Sequence, residues 1–153
     1  MKIRILLAII AITLMPAFAA EKAPWKAGVA TAVITPEKPM RMAGYGARIK
    51  PATGKDQDLF GKALAIEDQK GNRVVFITLD LIGVTSELRA EVEQGVREKY
   101  NLPPHALVMN ASHTHCGPAY GRPEVKDYFD GLVEKLIATV GRAIETSESA
   151  RLS

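Results

Sequence analysis

Two of the chain's three histidines, His113 and His115, are separated by a single residue in the segment SHTHCGP. If the extended conformation of the preceding residues continues, both imidazoles project to the same side of the backbone. They would then be close enough to share a metal ion, or to divide the roles of metal ligand and proton carrier. An HxH pair alone is a weak motif, and the alternative is two polar loop histidines without a chemical role.

The position of this pair favours the metal-binding interpretation. It directly follows the apolar run ALVMNA, residues 106–111, which predicts a buried strand. Ligands of α/β proteins tend to bind at the ends of such strands. Gly117 and Pro118 are expected to turn the chain sharply and leave space above the histidines.

Three further residues have side chains suited to chemistry. His105 lies in a Pro-Pro-His segment and is interpreted as a surface residue. Cys116 is either a soft metal ligand beside His115 or a small packed residue. As the only cysteine, it has no intrachain partner, which leaves a free thiol, an intermolecular link or a metal-associated sulfur. Asp80 either bonds the backbone of a following turn or points into the same cleft as the histidines.

The elements that must position these residues follow from apolar periodicity and turn signals. The pattern predicts an α/β fold with a mixed β-sheet and flanking helices. A turn-rich stretch, residues 68–72, is expected to close a β-hairpin. The predicted elements are a strand at 26–34, hairpin arms at 62–67 and 73–81, a helix at 86–100, a strand at 106–111 and a helix at 125–144.

Two of these segments carry a stronger expectation. The arm at 73–81 is apolar on both faces, which predicts a central strand in a sheet that is covered on both sides. Residues 36–61 contain repeated Pro and Gly and few apolar runs, which predicts a long irregular loop. Such a loop either lines a binding site or is a mobile surface feature.

The first nineteen residues have the composition of a signal peptide. Lys2 and Arg4 precede the aliphatic run 5–14, and Ala17-Phe18-Ala19 provides a cleavage site. We expect the mature protein to begin at Ala20 and to be secreted or periplasmic. An uncleaved membrane anchor is the alternative, although the apolar run is short for a membrane-spanning helix.

Charge and chain length limit the remaining functions. Removing Lys2 and Arg4 with the leader takes the formal net charge from +3 to +1, so nucleic acid is not expected as a partner. Residues 150–153 resemble the start of another strand. We therefore expect the sequence to be truncated or a fragment.

The order of short blocks along the chain resembles the beginning of the neutral/alkaline non-lysosomal ceramidases. The most specific block is HTH-x-GP after a buried strand. The resemblance covers essentially the whole chain after the leader, and its co-linear blocks are GVATA at 28–32, ITP at 34–36, MAGY at 42–45, KALAI at 62–66, GNRVVF at 71–76, DL at 80–81 and SHTHCGP at 112–118.

This resemblance implies a zinc amidase that splits the N-acyl bond of ceramide. It implies that His113 is a Zn²⁺ ligand and that His115 borders the scissile amide and assists proton transfer or carbonyl polarisation. Gly44 and Tyr45 are expected at the substrate. The resemblance also implies that residues 20–153 are the N-terminal portion of a ceramidase-like amidohydrolase domain. The family's other ligands, a His, a Glu and a Tyr, lie in later segments, so the isolated chain is expected to be inactive. The expected partners are a lipid amide and a membrane surface.

One stretch departs from the family pattern and keeps other functions open. After the glycine-rich loop, ceramidases tend to have Gly-Ile-x-x-Arg and Arg-Ala-Phe, where this chain reads GKDQDLFGKAL. The acidic residues Asp56 and Asp58 favour a related lipid or N-acyl amide as an alternative to ceramide. The other hypotheses are an HxH metal hydrolase of a different family, and an exported, non-catalytic metal-binding module that uses both histidines and Cys116.

Overall fold

The computed structural model describes residues 24–121 and 125–151. The predicted leader lies outside the described residues. The described residues contain five strands, two α-helices and a short 3-10 helix at Pro104–Ala106. Their bounds are β1 Trp25–Val33, β2 Phe60–Asp68, β3 Arg73–Leu79, α1 Ser86–Tyr100, β4 Leu107–Ala111, α2 Lys126–Glu145 and β5 Glu148–Ala150.

The strands form one mixed sheet in the order β4-β3-β2-β1-β5. β1, β2 and β3 are antiparallel neighbours, and β5 is antiparallel to β1. β4 is parallel to β3, and α1 makes the crossover between them. The predicted α/β class with a mixed sheet is therefore confirmed.

The predicted hairpin is closed by Asp68. Its carboxylate accepts hydrogen bonds from the backbone N–H groups of Lys70 and Asn72, both at 2.8 Å. Gly71 has φ of 83°, a conformation that glycine adopts without steric cost. A hydrogen bond from the Asn72 side chain to the same carboxylate, at 2.7 Å, is the main cause that holds the pKa of Asp68 below its usual range. The two backbone bonds and the neighbouring Lys70 charge lower this pKa further.

Both helices pack on the same face of the sheet. Leu88, Val92 and Val96 of α1 are fully buried in one core with the inward residues of β2 and β3. α2 is amphipathic and contributes Leu132, Leu136 and Val140 to that core, as its spacing predicts. Among the described residues, no helix has the length and apolar character that crossing a membrane requires.

In the part of the chain that the structure describes, the opposite face of the sheet is open, so the expectation that β3 is covered on both sides was wrong. Val29, Leu64, Phe76 and Val108 lie in one cross-strand row, and each is at least 37% exposed. Because the two helices share one face, no described element covers this row. The apolar pattern of β3 correctly indicated an interior strand but not which elements cover it.

Candidate functional site

His113 is held in place by a backbone carbonyl. Its Nδ1 lies 2.7 Å from the carbonyl oxygen of Ile82, at the end of the segment that follows β3. A carbonyl only accepts hydrogen bonds, so the Nδ1 position carries the proton and Nε2 keeps its lone pair in the neutral ring. This orientation by an outer partner is typical of metal-binding histidines.

The chain does not remain extended through the histidines, which corrects the predicted geometry. His113 has φ of 59°, in the left-handed region that histidine adopts more often than most residues. The two rings are still neighbours, but a turn of the backbone brings them together and not an extended strand. Their centroids are 5.1 Å apart and their planes cross at 66°, with His113 exposed and His115 half-buried.

The carbonyl that holds His113 belongs to a segment that is itself fixed. The Tyr120 hydroxyl, on the far side of the histidine turn, donates to the carbonyl of Gly83. Burial raises the pKa of Tyr120 above its usual value, so the hydroxyl keeps its proton to donate. The carbonyls of Ile82 and Gly83 thus each accept a hydrogen bond from the histidine turn or the residues after it. Because Ile82 is held in this way, it keeps the His113 ring in one orientation.

The long irregular loop lies directly against the histidine turn. Residues 41–43 of the loop bond the turn twice: Ala43 N–H donates to the Gly117 carbonyl at 2.9 Å, and Ala119 N–H donates to the Arg41 carbonyl at 2.8 Å. A further bridge pairs Met42 with Pro118. Of the two interpretations of this loop, the structure supports the one in which it lines the site.

Gly44 and Tyr45 follow directly after the loop residues that bond the histidine turn, and both have positive φ. A Cβ on Gly44 would lie 2.4 Å from Cγ of His115, so only glycine allows the loop to approach this ring. The Tyr45 ring meets the His115 ring edge to face, with centroids 4.9 Å apart. The structure therefore brings Gly44 and Tyr45 together with both histidines.

Arg48 is part of the same cluster and was missed by sequence reasoning. Its Nη1 donates to the carbonyl of His115 at 2.7 Å, and its guanidinium lies 4.9 Å from the centroid of the Tyr45 ring. The available signal was the Tyr-Gly-x-Arg spacing, which allows a tight turn. The turn forms, with Arg48 N–H donating to the Tyr45 carbonyl at 2.8 Å.

A groove runs between the loop and the histidine turn, with a volume of about 1360 Å³. Its walls combine apolar side chains, including Met40, Met42 and Leu59, with basic ones such as Arg48 and Lys50. Thr114 and Cys116 line the end nearest the histidines. This composition suits a ligand with a long apolar part and a few polar groups.

The two acidic residues that depart from the family pattern also border this groove. Asp58 is bonded to Lys55 and to the Thr35 hydroxyl, and these bonds hold the pKa of its carboxyl below the usual range. The Thr35 hydroxyl in turn accepts from the Leu59 N–H at 2.8 Å. Asp58 thereby closes the base of the loop, while Asp56 is exposed.

Comparison with known proteins decides the family. The family model for the neutral/alkaline non-lysosomal ceramidase N-terminal domain matches residues 25–125. The chain belongs to this ceramidase family. The neutral ceramidases of Drosophila pseudoobscura pseudoobscura and Drosophila melanogaster are each 31% identical to it over 99 residues, which is 63% of this chain and 14% of theirs.

The fold of this ceramidase segment also matches solved structures. The neutral ceramidase from Pseudomonas aeruginosa has a TM-score of 0.73 and 23% identity, over 84% of this chain and 23% of that one. A ceramidase complexed with C2 gives a TM-score of 0.71 at the same identity, over 83% of this chain and 22% of its own. The chain thus spans less than a quarter of the relatives it matches.

The remaining predicted residues of the ceramidase segment make no hydrogen bond to either histidine ring among the described residues. The Asp80 carboxylate accepts from the Phe60 N–H at 2.9 Å, so it bonds the neighbouring strand β2 and not a following turn. His105 is exposed beyond the other end of β4, as predicted. Cys116 has an exposed free thiol, and its backbone N–H donates to the Thr114 hydroxyl.

The described residues do not form a complete metal site. Within 24–121 and 125–151, no group of three or more His, Cys, Asp or Glu side chains is placed to hold a metal ion. His113 alone has the arrangement of a zinc ligand, because its Nδ1 bond leaves Nε2 free. A neutral imidazole with a free Nε2 is a donor that zinc accepts, and His113 offers one.

Proposed function

We propose that this chain contributes one zinc ligand and one proton-transferring histidine to an amidohydrolase that cleaves the N-acyl bond of ceramide or a related lipid amide. The observation that carries the proposal is the bond from His113 Nδ1 to the Ile82 carbonyl, beside a second imidazole 5.1 Å away. Family membership supports the reaction class. The geometry supports two separate roles, zinc ligand for His113 and proton transfer for His115.

His113 is the residue proposed to hold Zn²⁺ through Nε2. Bound zinc would supply a water of near-neutral pKa and polarise the amide carbonyl, the two services that amide hydrolysis needs from a metal. The Ile82 carbonyl fixes both the tautomer and the direction of the ring. One histidine does not make a catalytic site, since such sites use about three protein ligands.

His115 is the residue proposed to move a proton at the scissile amide. It is half-buried, and its ring is bordered by Gly44, by Tyr45 and by His113. An imidazole held in this way can accept or donate a proton near neutral pH without moving far. Its sequence neighbours Thr114 and Cys116 line the groove, which supports a substrate position close to this ring.

The substrate is proposed to lie in the groove, with Gly44 and Tyr45 near its polar end. The methionines and prolines of the walls suit an acyl or long-chain base, and a lipid substrate implies contact with a membrane surface. Asp56 and Asp58 favour a relative of ceramide as the alternative substrate. We also propose export through the N-terminal leader, which agrees with a lipid substrate outside the cytoplasm.

The test uses a polypeptide that carries this segment within the full length of a neutral ceramidase. Zinc content and hydrolysis of a fluorescent ceramide are measured for wild type, His113→Ala and His115→Ala. We expect His113→Ala to lose both zinc and activity. His115→Ala should keep most of the zinc and lose a factor of about 10²–10⁴ in turnover, the usual contribution of general acid-base catalysis.

The matched control is His105→Ala, because His105 is exposed and lies outside the site. It should leave zinc content and turnover within about twofold of wild type. Full zinc occupancy in His113→Ala would refute the ligand assignment. Zinc binding without turnover of ceramide or other N-acyl lipids in wild type would instead support the non-catalytic metal-binding module.

A further inference from the structure

Arg48 joins two parts of the site that are far apart in sequence. Its Nη1 bonds the His115 carbonyl at 2.7 Å, across 67 residues of chain. The same guanidinium lies over the Tyr45 ring, 4.9 Å from its centroid. A guanidinium can do both because its plane offers N–H groups at the edge and a cationic face to an aromatic ring.

Tyr45 has little else to hold it. The residue is 63% exposed, and its backbone is in the left-handed region at φ of 49°. Its ring nevertheless meets the His115 ring edge to face at 77°. An exposed ring has several rotamers available, so this orientation needs a fixing contact, and the described neighbours that provide one are Arg48 and His115.

We propose that Arg48 is a positioning residue, which fixes the orientation of the His115 imidazole by bonding its backbone carbonyl and by holding Tyr45 against its edge. This inference rests on the proposed function, because ring orientation matters to the reaction only if His115 transfers a proton. The alternative is that Arg48 merely ties the loop to the histidine turn.

The first experiment is performed on this chain by NMR. The readouts are the ring-proton shifts of His115 and its cross-peaks to the Tyr45 ring, compared in wild type, Arg48→Leu, Arg48→Gln and Arg48→Lys. Leucine lacks both contacts and should move the shifts and remove the cross-peaks. Glutamine can still bond the carbonyl but has no charge, so Arg48→Gln should weaken the Tyr45 cross-peaks. Lysine keeps a charge and a donor but not the guanidinium plane, so Arg48→Lys should retain the wild-type pattern only in part.

Arg41→Leu is the matched control, since Arg41 is an exposed arginine of the same loop whose backbone carbonyl accepts from Ala119. It should leave the His115 ring signals unchanged. The methyl signals of the fully buried Leu136 and Val140 report whether the fold survives each substitution. Wild-type His115 shifts and cross-peaks in Arg48→Leu would overturn the proposal, and so would equal disturbance by Arg41→Leu.

The second experiment measures ceramide hydrolysis in the full-length polypeptide. Arg48→Leu should lower kcat by about tenfold with KM within about twofold, a smaller loss than for His115→Ala because the imidazole is misdirected but present. Arg48→Lys should recover part of kcat, because lysine keeps the charge and a donor but not the guanidinium plane. An unchanged kcat with a raised KM would overturn the positioning role. If wild type hydrolyses no N-acyl lipid, the proposed function fails, whereas the NMR result still decides the contact.

Discussion

The helix-covered face of the sheet and the histidine site are stabilised in different ways. The covered face is built from fully buried aliphatic side chains, such as Leu136 and Val92, that recur at helical or strand spacing. The site is built from backbone hydrogen bonds, ring contacts and two left-handed residues, Tyr45 and His113, beside the left-handed Gly44. Substitutions should therefore separate folding from site geometry.

The largest expected effect on stability is in the core. Leu136→Ala removes a fully buried side chain of α2 that packs over Gly61 of β2, and it should lower the free energy of unfolding by about 2–5 kcal/mol. Leu64→Ala is the matched change on the open face and should cost less than about 1 kcal/mol. Urea unfolding of both variants makes the comparison, and equal losses would contradict the assignment of the two faces.

A substitution at the loop tip should damage the site more than the fold. Gly44→Ala places a side chain at φ of 72° and 2.4 Å from the His115 ring. We expect a loss of about 1–2 kcal/mol from the left-handed backbone, together with displaced His115 ring signals in NMR spectra. Gly46→Ala is the control, because a Cβ there meets no atom within 4 Å. Unmoved His115 signals in Gly44→Ala would show that the loop contact is not formed.

The smallest expected effect is on the free energy of unfolding at alkaline pH, and it concerns Tyr128. Burial raises the pKa of Tyr128, whose hydroxyl donates to the Ile34 carbonyl at 2.7 Å. The unfolded chain releases this proton near pH 10 and the folded chain retains it, so stability should fall as pH rises above about 10. Tyr128→Phe should cost about 0.5–1.5 kcal/mol at pH 8 and reduce the alkaline decline.

Denaturant unfolding at pH 8 and pH 11 provides the measurement for this residue. Tyr45→Phe is the control because its hydroxyl belongs to an exposed side chain, and it should leave the decline as in wild type. An identical decline in Tyr128→Phe and wild type would show that this tyrosine does not contribute to the alkaline transition.

The regular elements could be predicted closely because their signals are local. The bounds of α1 match the prediction: the Thr85 side chain accepts from the Leu88 N–H, and Asn101 ends the helix in a left-handed conformation. The hairpin was equally clear from its turn residues. In contrast, the apolar pattern of β3 does not reveal that both helices pack on the same side, since coverage depends on contacts between distant segments.

The site could be predicted only in part. Spacing identified His113 and His115, and the family blocks identified Gly44 and Tyr45. The left-handed turn at His113, its bond to Ile82 and the role of Arg48 all depend on contacts across 31 to 67 residues. Neither periodicity nor propensity encodes such contacts, so only the three-dimensional arrangement reveals them.

The sheet order has a consequence for the sequence of folding events. β1 is synthesised first, yet its inward face is covered by α2, and its outer edge pairs with β5 more than a hundred residues later. The hairpin of β2 and β3 closes locally and β1 pairs with β2 soon after, whereas the outer edge of β1 must wait for β5, across the longest loop closure between paired strands of the described chain. At ordinary synthesis rates that wait is on the order of ten seconds, during which β1 has a free edge that needs protection from misassociation.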